Sequence, residues 1–402
     1  MAKFYGSGVG FGGGGENQPP TNPTDDFPNI NESTTITHTF TGSSDPDGSV
    51  TQHLVDTISS GTLTVDTAEV AAGVAHSFTT GSVDANTDIT FRVRAKDNEG
   101  KYSSGITITT TVIEVPVFQG TTYGYDAGGR LPTLTDVIQK YAFTSDGSAS
   151  DVANLVSARD GLGGTNSKTY GYAHSGRTAN NAIDKHQFAT TNNATTVGTL
   201  YTDAYIPGGI TGDDNYGYCY CGKEPGSNVI QRYPYASDTN STDVGDSTAG
   251  RNGPGACSDW VASYGFGLSG YNTNVIDRFA FASSSNASDV GDMGVITEAG
   301  ASPSATAYGY YCGGYGGGVK DHIQKVQFTS SASSADVANM YQGRYNVDGS
   351  SSTTHGYMAG GNYSTGTAYT SQIDKFPFAS DTNATSVGYL IHSVTDSTGF
   401  HV

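Results

Sequence analysis

An all-β protein is what this sequence predicts, and three observations carry the prediction. Among 402 residues there are 55 glycines and 26 tyrosines, and Ser, Thr and Asn are abundant, a composition suited to short strands joined by many turns. No stretch sustains helical periodicity, and no apolar run is long enough to span a bilayer. One sequence unit returns six times with a period in the forties, which marks repeated supersecondary units rather than low complexity. The length suggests two or three domains.

Residues 1–16 are glycine-rich. Gly8-Val9-Gly10-Phe11-Gly12-Gly13 matches G-x-G-x-x-G formally, but a nucleotide site needs a strand before it and a helix after it, and the flanks offer neither. Tyr5, Val9 and Phe11 on a flexible backbone read instead as an arm that docks into a partner. The stretch has no continuous apolar core and no cleavage-site pattern, so a Sec signal peptide is not expected. Residues 17–28 carry four prolines, the mark of a stiff, extended spacer.

From 29 to 115 the character changes. ITHTF (36–40), TLTV (62–65), ITFRVRA (89–95) and ITITTTV (106–112) are short alternating or β-branched runs, separated by the turn clusters Asp45-Pro46-Asp47-Gly48 and Asp97-Asn98-Glu99-Gly100. Strands at this spacing suit a small β-sandwich. The pair DPDG and FRVRAKDNEGKYSSG resembles immunoglobulin-like modules of the fibronectin type III or PKD kind. Acidic turns of this sort can hold calcium; an aspartate capping its own turn is the simpler reading.

The repeat fills 121–402. Its first element reads YGYDAGG (123–129), YGYAHSG (170–176), YGYCYCG (216–222), YGFGLSG (264–270), YGYYCGG (308–314) and HGYMAGG (355–361). The second reads IQKYAF (138), IDKHQF (183), IQRYPY (230), IDRFAF (276), IQKVQF (323) and IDKFPF (373). Fourteen residues after each Ile stands a Val, followed by Ala or Gly. Alternate residues of a strand share a face, so in IDRFAF the Ile and the Phe point opposite ways and both faces have something apolar to bury. Sheets packed on neighbours at both sides, or a closed ring of them, meet that need. The last glycine of the first element is expected to supply positive φ and close backbone approach.

A strand ending in two glycines, then an Ile/aromatic strand, with an Arg further on in some copies (Arg159, Arg251, Arg344), resembles the kelch repeat. That family forms β-propellers, including the domain of galactose oxidase. The usual tryptophan is missing, since Trp260 is the single Trp, so the ring is kelch-like. The resemblance implies six blades over 116–402, closed by TGFHV (398–402); seven follow if the two chain ends jointly build one. The basic residues Lys140, Lys185, Arg232, Arg278, Lys325 and Lys375 share one repeat position. Inter-blade ion pairs or stem packing, with Asp151, Asp243, Asp289 and Asp336 as partners, are expected there rather than an anion site.

Function would sit on loops of one face. The segment from Ile to Val is constant in length, whereas 5 to 11 residues separate the last glycine from the Ile; variable loops are where function diverges. Candidate binding residues are Tyr271, Asn272, Tyr315, Asn362, Tyr363 and Tyr369, with Asp213, Asp214 and Trp260 from neighbouring segments. Tyr, Asn and Asp suit sugars, and they equally serve protein recognition. The net charge of −19 argues against nucleic acid, and no membrane insertion is expected. Cys219, Cys221, Cys257 and Cys312 show one close pair only, so buried thiols are expected rather than zinc or disulfides. The galactose-oxidase likeness would imply copper, yet no Cys-Tyr-His set matches, no G-x-S-x-G, H-E-x-x-H or Walker pattern occurs, and neither cofactor nor catalytic residue is assigned.

The layout of arm, spacer, Ig-like module and kelch-like ring resembles structural proteins of tailed phages, particularly marine cyanophages. That likeness implies a virion surface protein, a head decoration, fibre or tail component. Its arm would bind other virion proteins and its propeller a host-surface glycan or protein. A bacterial extracellular adhesin or glycan-binding module is the alternative, an enzyme the third reading, and homo-oligomerisation is left open.

Overall fold

The computed structural model describes residues 17–24, 27, 30–31, 35–57, 64–65, 69–81, 87–113, 119–130, 132–177, 181–212, 215–223, 226–281, 283–366 and 368–402. The arm residues Tyr5, Val9 and Phe11, and Asp213 and Asp214, lie outside them. Among the described residues the secondary structure is strand throughout, without a helix. The chain divides into two compact units, Met1–Val115 and Pro116–Val402.

The first unit holds two sheets around one core. The larger runs Ile30–Asn31, Ile106–Ile113, Thr87–Asp97, Val50–Thr57, Glu69–Ala71 in spatial order, the smaller Thr35–His38, His76–Thr79, Thr64–Val65. Strand Thr87–Asp97 shows why: Ile89, Phe91, Val93 and Ala95 are buried, and the alternate Arg92 and Arg94 both pair with Asp56 on the other face. Phe78 of the smaller sheet and Phe91 of the larger meet Phe40 in the core. Asp97 does cap its turn, accepting hydrogen bonds from Glu99 N (2.9 Å) and Lys101 N (2.8 Å).

Among its described residues the second unit is a propeller-like ring of six antiparallel sheets. Each repeat supplies three strands in order: the YGY strand, the Ile strand, and the Val strand at the outer edge, as in Tyr264–Leu268, Val275–Ala280 and Ser288–Asp292. A fourth, inner strand precedes the YGY strand, as in Gly255–Asp259. In the first sheet that place is taken by the chain's end: Thr398–His401 pairs antiparallel with Tyr123–Ala127. In the fifth sheet residues 301–304 pair only through isolated bridges, Ala301 to Cys312 and Ser304 to Gly309, because Pro303 has no N–H to give the ladder.

The inner strands close the ring through bare backbone. A Cβ on Gly164 would lie 2.3 Å from the carbonyl oxygen of Gly399, and one on Gly209 would lie 2.1 Å from that of Gly164. Gly208 abuts Ala256, Ala256 N donates to Ser302 Oγ (3.2 Å), Gly349 abuts Ser302 N, and Gly399 abuts the Gly349 carbonyl. The circuit therefore returns to its start.

The two faces of each Ile strand serve two different cores. Phe279 and Phe281 pack with Tyr218 and Tyr220 between the third and fourth sheets, while Ile276 packs with Tyr311 and Phe328 between the fourth and fifth. The last glycine of the first element has positive φ in all six copies, from 83° at Gly222 to 152° at Gly176.

The basic ring takes partners other than those the sequence suggested. Lys140, Lys185, Arg232, Arg278 and Lys325 lie 4.3–4.9 Å over the first tyrosine of their own repeat. Lys185, Lys325 and Lys375 pair with Asp238, Asp381 and Asp146 of the next sheet. Asp243 and Asp289 instead accept from Gly245 N and Gly291 N two residues on, and Asp336 holds His322. Those carboxylates belong to the outer strand, where a backbone N–H takes Asp243 and Asp289 and an imidazole takes Asp336.

Candidate functional site

Hairpin turns of an antiparallel sheet alternate between its two ends. Turns joining inner to YGY strands lie at one end of the ring. The loops after the double glycine lie at the other, with the connections from each outer strand to the next inner strand. This loop end has an axial pocket of about 110 Å³ bordered by Gly161, Ile206, Ala299, Asn346 and Asp396. A smaller one, about 60 Å³, opens at the turn end beside Asn166, Ser258, Trp260 and His401.

Three of the expected residues line one groove at the loop end. Tyr271 and Asn272 form one wall and Tyr315 the other, with Ile296 and Glu298 between them, around about 280 Å³. The groove is held by backbone. Glu298 N donates to Tyr315 O (3.0 Å) and Tyr315 N to Glu298 O (2.9 Å). Tyr271 N donates to Asn252 O (2.9 Å), and Ser269 Oγ donates to Thr297 O (2.7 Å). Asn272 sits at φ 63°, a left-handed conformation that asparagine tolerates. Tyr271 is 56% exposed, so its ring is available to a ligand.

A second group adjoins it. The rings of Tyr315 and Tyr345 are 5.5 Å apart, and Tyr345 bridges to Asn362, which bridges in turn to Tyr369. Tyr363 is 43% exposed, but Asn362 is buried and supports the loop instead of facing solvent. Trp260 departs from expectation. It is buried in the turn after Gly255–Asp259 and lines the axial pocket at the turn end, because an inner-to-YGY turn emerges opposite to the glycine loops. Ile296, Glu298 and Tyr345 were missed by sequence reading. They lie on connections between sheets, which carry no repeat signature; only the neighbouring Arg344 stood out.

The four cysteines and His174 are buried elsewhere. All four cysteines are free and buried, and burial pushes the Cys221 and Cys257 thiols up to about 12, away from reactivity. His174 is held near 3 by burial and by Arg159, and it shares a hydrogen bond with Tyr233 OH at 3.0 Å.

No family model matches the chain, and no curated protein matches it. Solved structures do match, among them one titled "Structure of YjhT", with a TM-score of 0.50 and 12% identity over 61% of this chain and 88% of that one. At that identity the likeness concerns the fold alone.

Proposed function

We propose that this protein is a recognition protein of a virion surface, with a six-bladed, kelch-like ring that presents a glycan-binding face and an Ig-like module and N-terminal segment that tie it to other virion proteins. The observation that carries the binding half is the groove between Tyr271 and Tyr315. Two tyrosines set on backbone-braced loops, with an amide beside one and a carboxylate between them, offer ring faces to the apolar side of a sugar and polar groups to its hydroxyls. The groove sits where loop length varies most between repeats, as a diversifying contact would. The virion half rests on the layout of glycine-rich arm, proline spacer, sandwich and ring. Weak binding per copy would be strengthened by many copies on one particle.

The test is a glycan array probed with the full chain. Binding to a restricted set of glycans is expected, and Tyr271→Ala or Tyr315→Ala should weaken it about tenfold at an unchanged melting temperature. Absence of any glycan binding, or indifference to both substitutions, would sink the reading.

A further inference from the structure

The residue that follows the last glycine of the first element occupies one position in every repeat. In chain order it is Arg130, Arg177, Lys223, Tyr271, Tyr315 and Asn362. Three successive cations are followed by two tyrosines and an amide, so the loop end has a basic half and an aromatic half. A chain of net charge −19 sets the basic half against an opposing background.

Arg130 and Arg177 are built into a fixed pair. Asp160, whose side chain is wholly buried, ion-pairs with both. Arg177 Nε donates to Asp160 Oδ1 and Oδ2, each at 3.2 Å, and its backbone N donates to Asp160 O at 2.8 Å. The Arg177 guanidinium also stacks on Tyr205, 4.4 Å from the ring centre, and donates to its hydroxyl. Arg130 is held by reciprocal backbone hydrogen bonds with Thr395, and Lys223 N donates to Tyr205 O. The side chains of Arg130, Arg177 and Lys223 nevertheless remain 31%, 43% and 49% exposed. A guanidinium has five N–H donors, and Asp160 takes only part of those of Arg130.

We propose that Arg130 and Arg177, positioned by Asp160 and Tyr205 and flanked by Lys223, form an oxyanion-binding subsite for the carboxylate or sulfate groups of an acidic polysaccharide. Planar, immobilised guanidinium groups suit such oxyanions, and prior fixation reduces the ordering cost of binding. The subsite shares the loop end with the tyrosine groove but none of its residues, so the two readings stand separately.

The local charge also makes the subsite sensitive to pH. Asp396 is buried beside the pair, and burial with the nearby Asp160 charge raises its pKa to about 7, against the opposing pull of Arg177 and Arg130. With Asp396 protonated, two guanidinium charges stand against the single carboxylate of Asp160. With it ionised they are balanced. Oxyanion binding is therefore stronger below neutrality than above it.

Titration calorimetry on the full chain with three oligosaccharides of equal length, a neutral glucan, a glucuronan and a sulfated glucan, decides the matter. The two acidic arms separate carboxylate from sulfate preference. At least one should bind about tenfold tighter than the neutral glucan, and tighter near pH 6 than near pH 8. Arg177→Gln should remove that advantage while leaving any neutral-glycan binding by the tyrosine groove intact. If Arg177→Gln lowers the melting temperature, Lys223→Gln carries the test, since Lys223 lies half-exposed with Asp203 at 3.7 Å. Equal affinity for all three sugars, no binding of either acid, or acid binding unmoved in both variants overturns the proposal. Loss of neutral-glycan binding alone leaves it standing and counts against the groove instead.

Discussion

Asp126 and Asp348 lie on either side of the closing strand. Asp126 accepts from Ser397 Oγ at 2.7 Å and from Gln139 Nε2 at 3.1 Å. Asp348 accepts from Gly349 N at 2.7 Å, and its carboxylate oxygens lie within 2.7 Å of where a Cβ of Gly399 would be. Burial raises the Asp126 pKa to about 7; burial first, and then the Asp126 charge, raises that of Asp348 well above the carboxylate range. An unfolded aspartate titrates at about 3.9. The folded state therefore holds more protons than the unfolded state between these values, so this contribution to stability is complete in acid and lost as pH rises through about 7. Asp126→Asn should flatten that slope, leaving the melting temperature unchanged near pH 4 and raising it near pH 8 by calorimetry. An unaltered pH profile would refute the assignment.

Residues also reveal an alternation that repeat spacing hides. The position after the repeat Ile is Gln139, Asp184, Gln231, Asp277, Gln324 and Asp374 in turn. Each Asp meets a buried arginine from the preceding sheet: Arg159, Arg251 or Arg344, at 3.1, 2.7 and 2.6 Å. The glutamines of the alternate sheets bind backbone instead, as Gln324 does with the N and O of Val295. An aspartate is tolerated there only where a cation accompanies it, so the ring is a threefold array of sheet pairs. The alternating letters and the three arginines are visible in sequence; that each arginine reaches forward to the next repeat is not.

At the scale of elements, the Ile strand is the unit that makes a ring rather than a sandwich. A strand with one apolar face ends at one core, but Val275–Ala280 feeds two. The Phe279 ring is tilted against Tyr218, 5.4 Å between centres, and stacks on Tyr220 at 6.1 Å. Phe279→Ala should cost about 3–5 kcal/mol of unfolding free energy in denaturant titration, because the cavity opens in a core walled by aromatic rings from two sheets. A loss below about 1 kcal/mol would mean that the face is not load-sharing in this way. The two-faced pattern was legible, since residues an odd number apart point oppositely. The register shift after the repeat Ile, between Ile276 and Asp277 for example, was not, because a bulge leaves no fixed signature in composition.

Closure of the ring depends on residues 398–402. Thr398–His401 is the inner strand of the first sheet, and Val402 O accepts hydrogen bonds from Thr121, Thr122 and Tyr123 N at 2.8–3.0 Å. Deleting residues 397–402 would leave Tyr123–Ala127 with an unpaired edge. The truncated chain should self-associate in size-exclusion chromatography with light scattering and melt at lower temperature; a monomer with unchanged melting would refute this dependence.

The sequence by itself determined the strand content, the sixfold unit, the two-faced Ile strand and the glycines with positive φ, because each follows from periodicity or from the steric needs of a single residue. Only the tertiary structure decided which loops share an end of the ring. It buried Trp260 and Asn362, joined Tyr271 to Tyr315 across Glu298, and set Arg130 and Arg177 on Asp160. Those placements depend on which way each hairpin runs and on which sheet is its neighbour, and such distances through space are not written in the spacing along the chain.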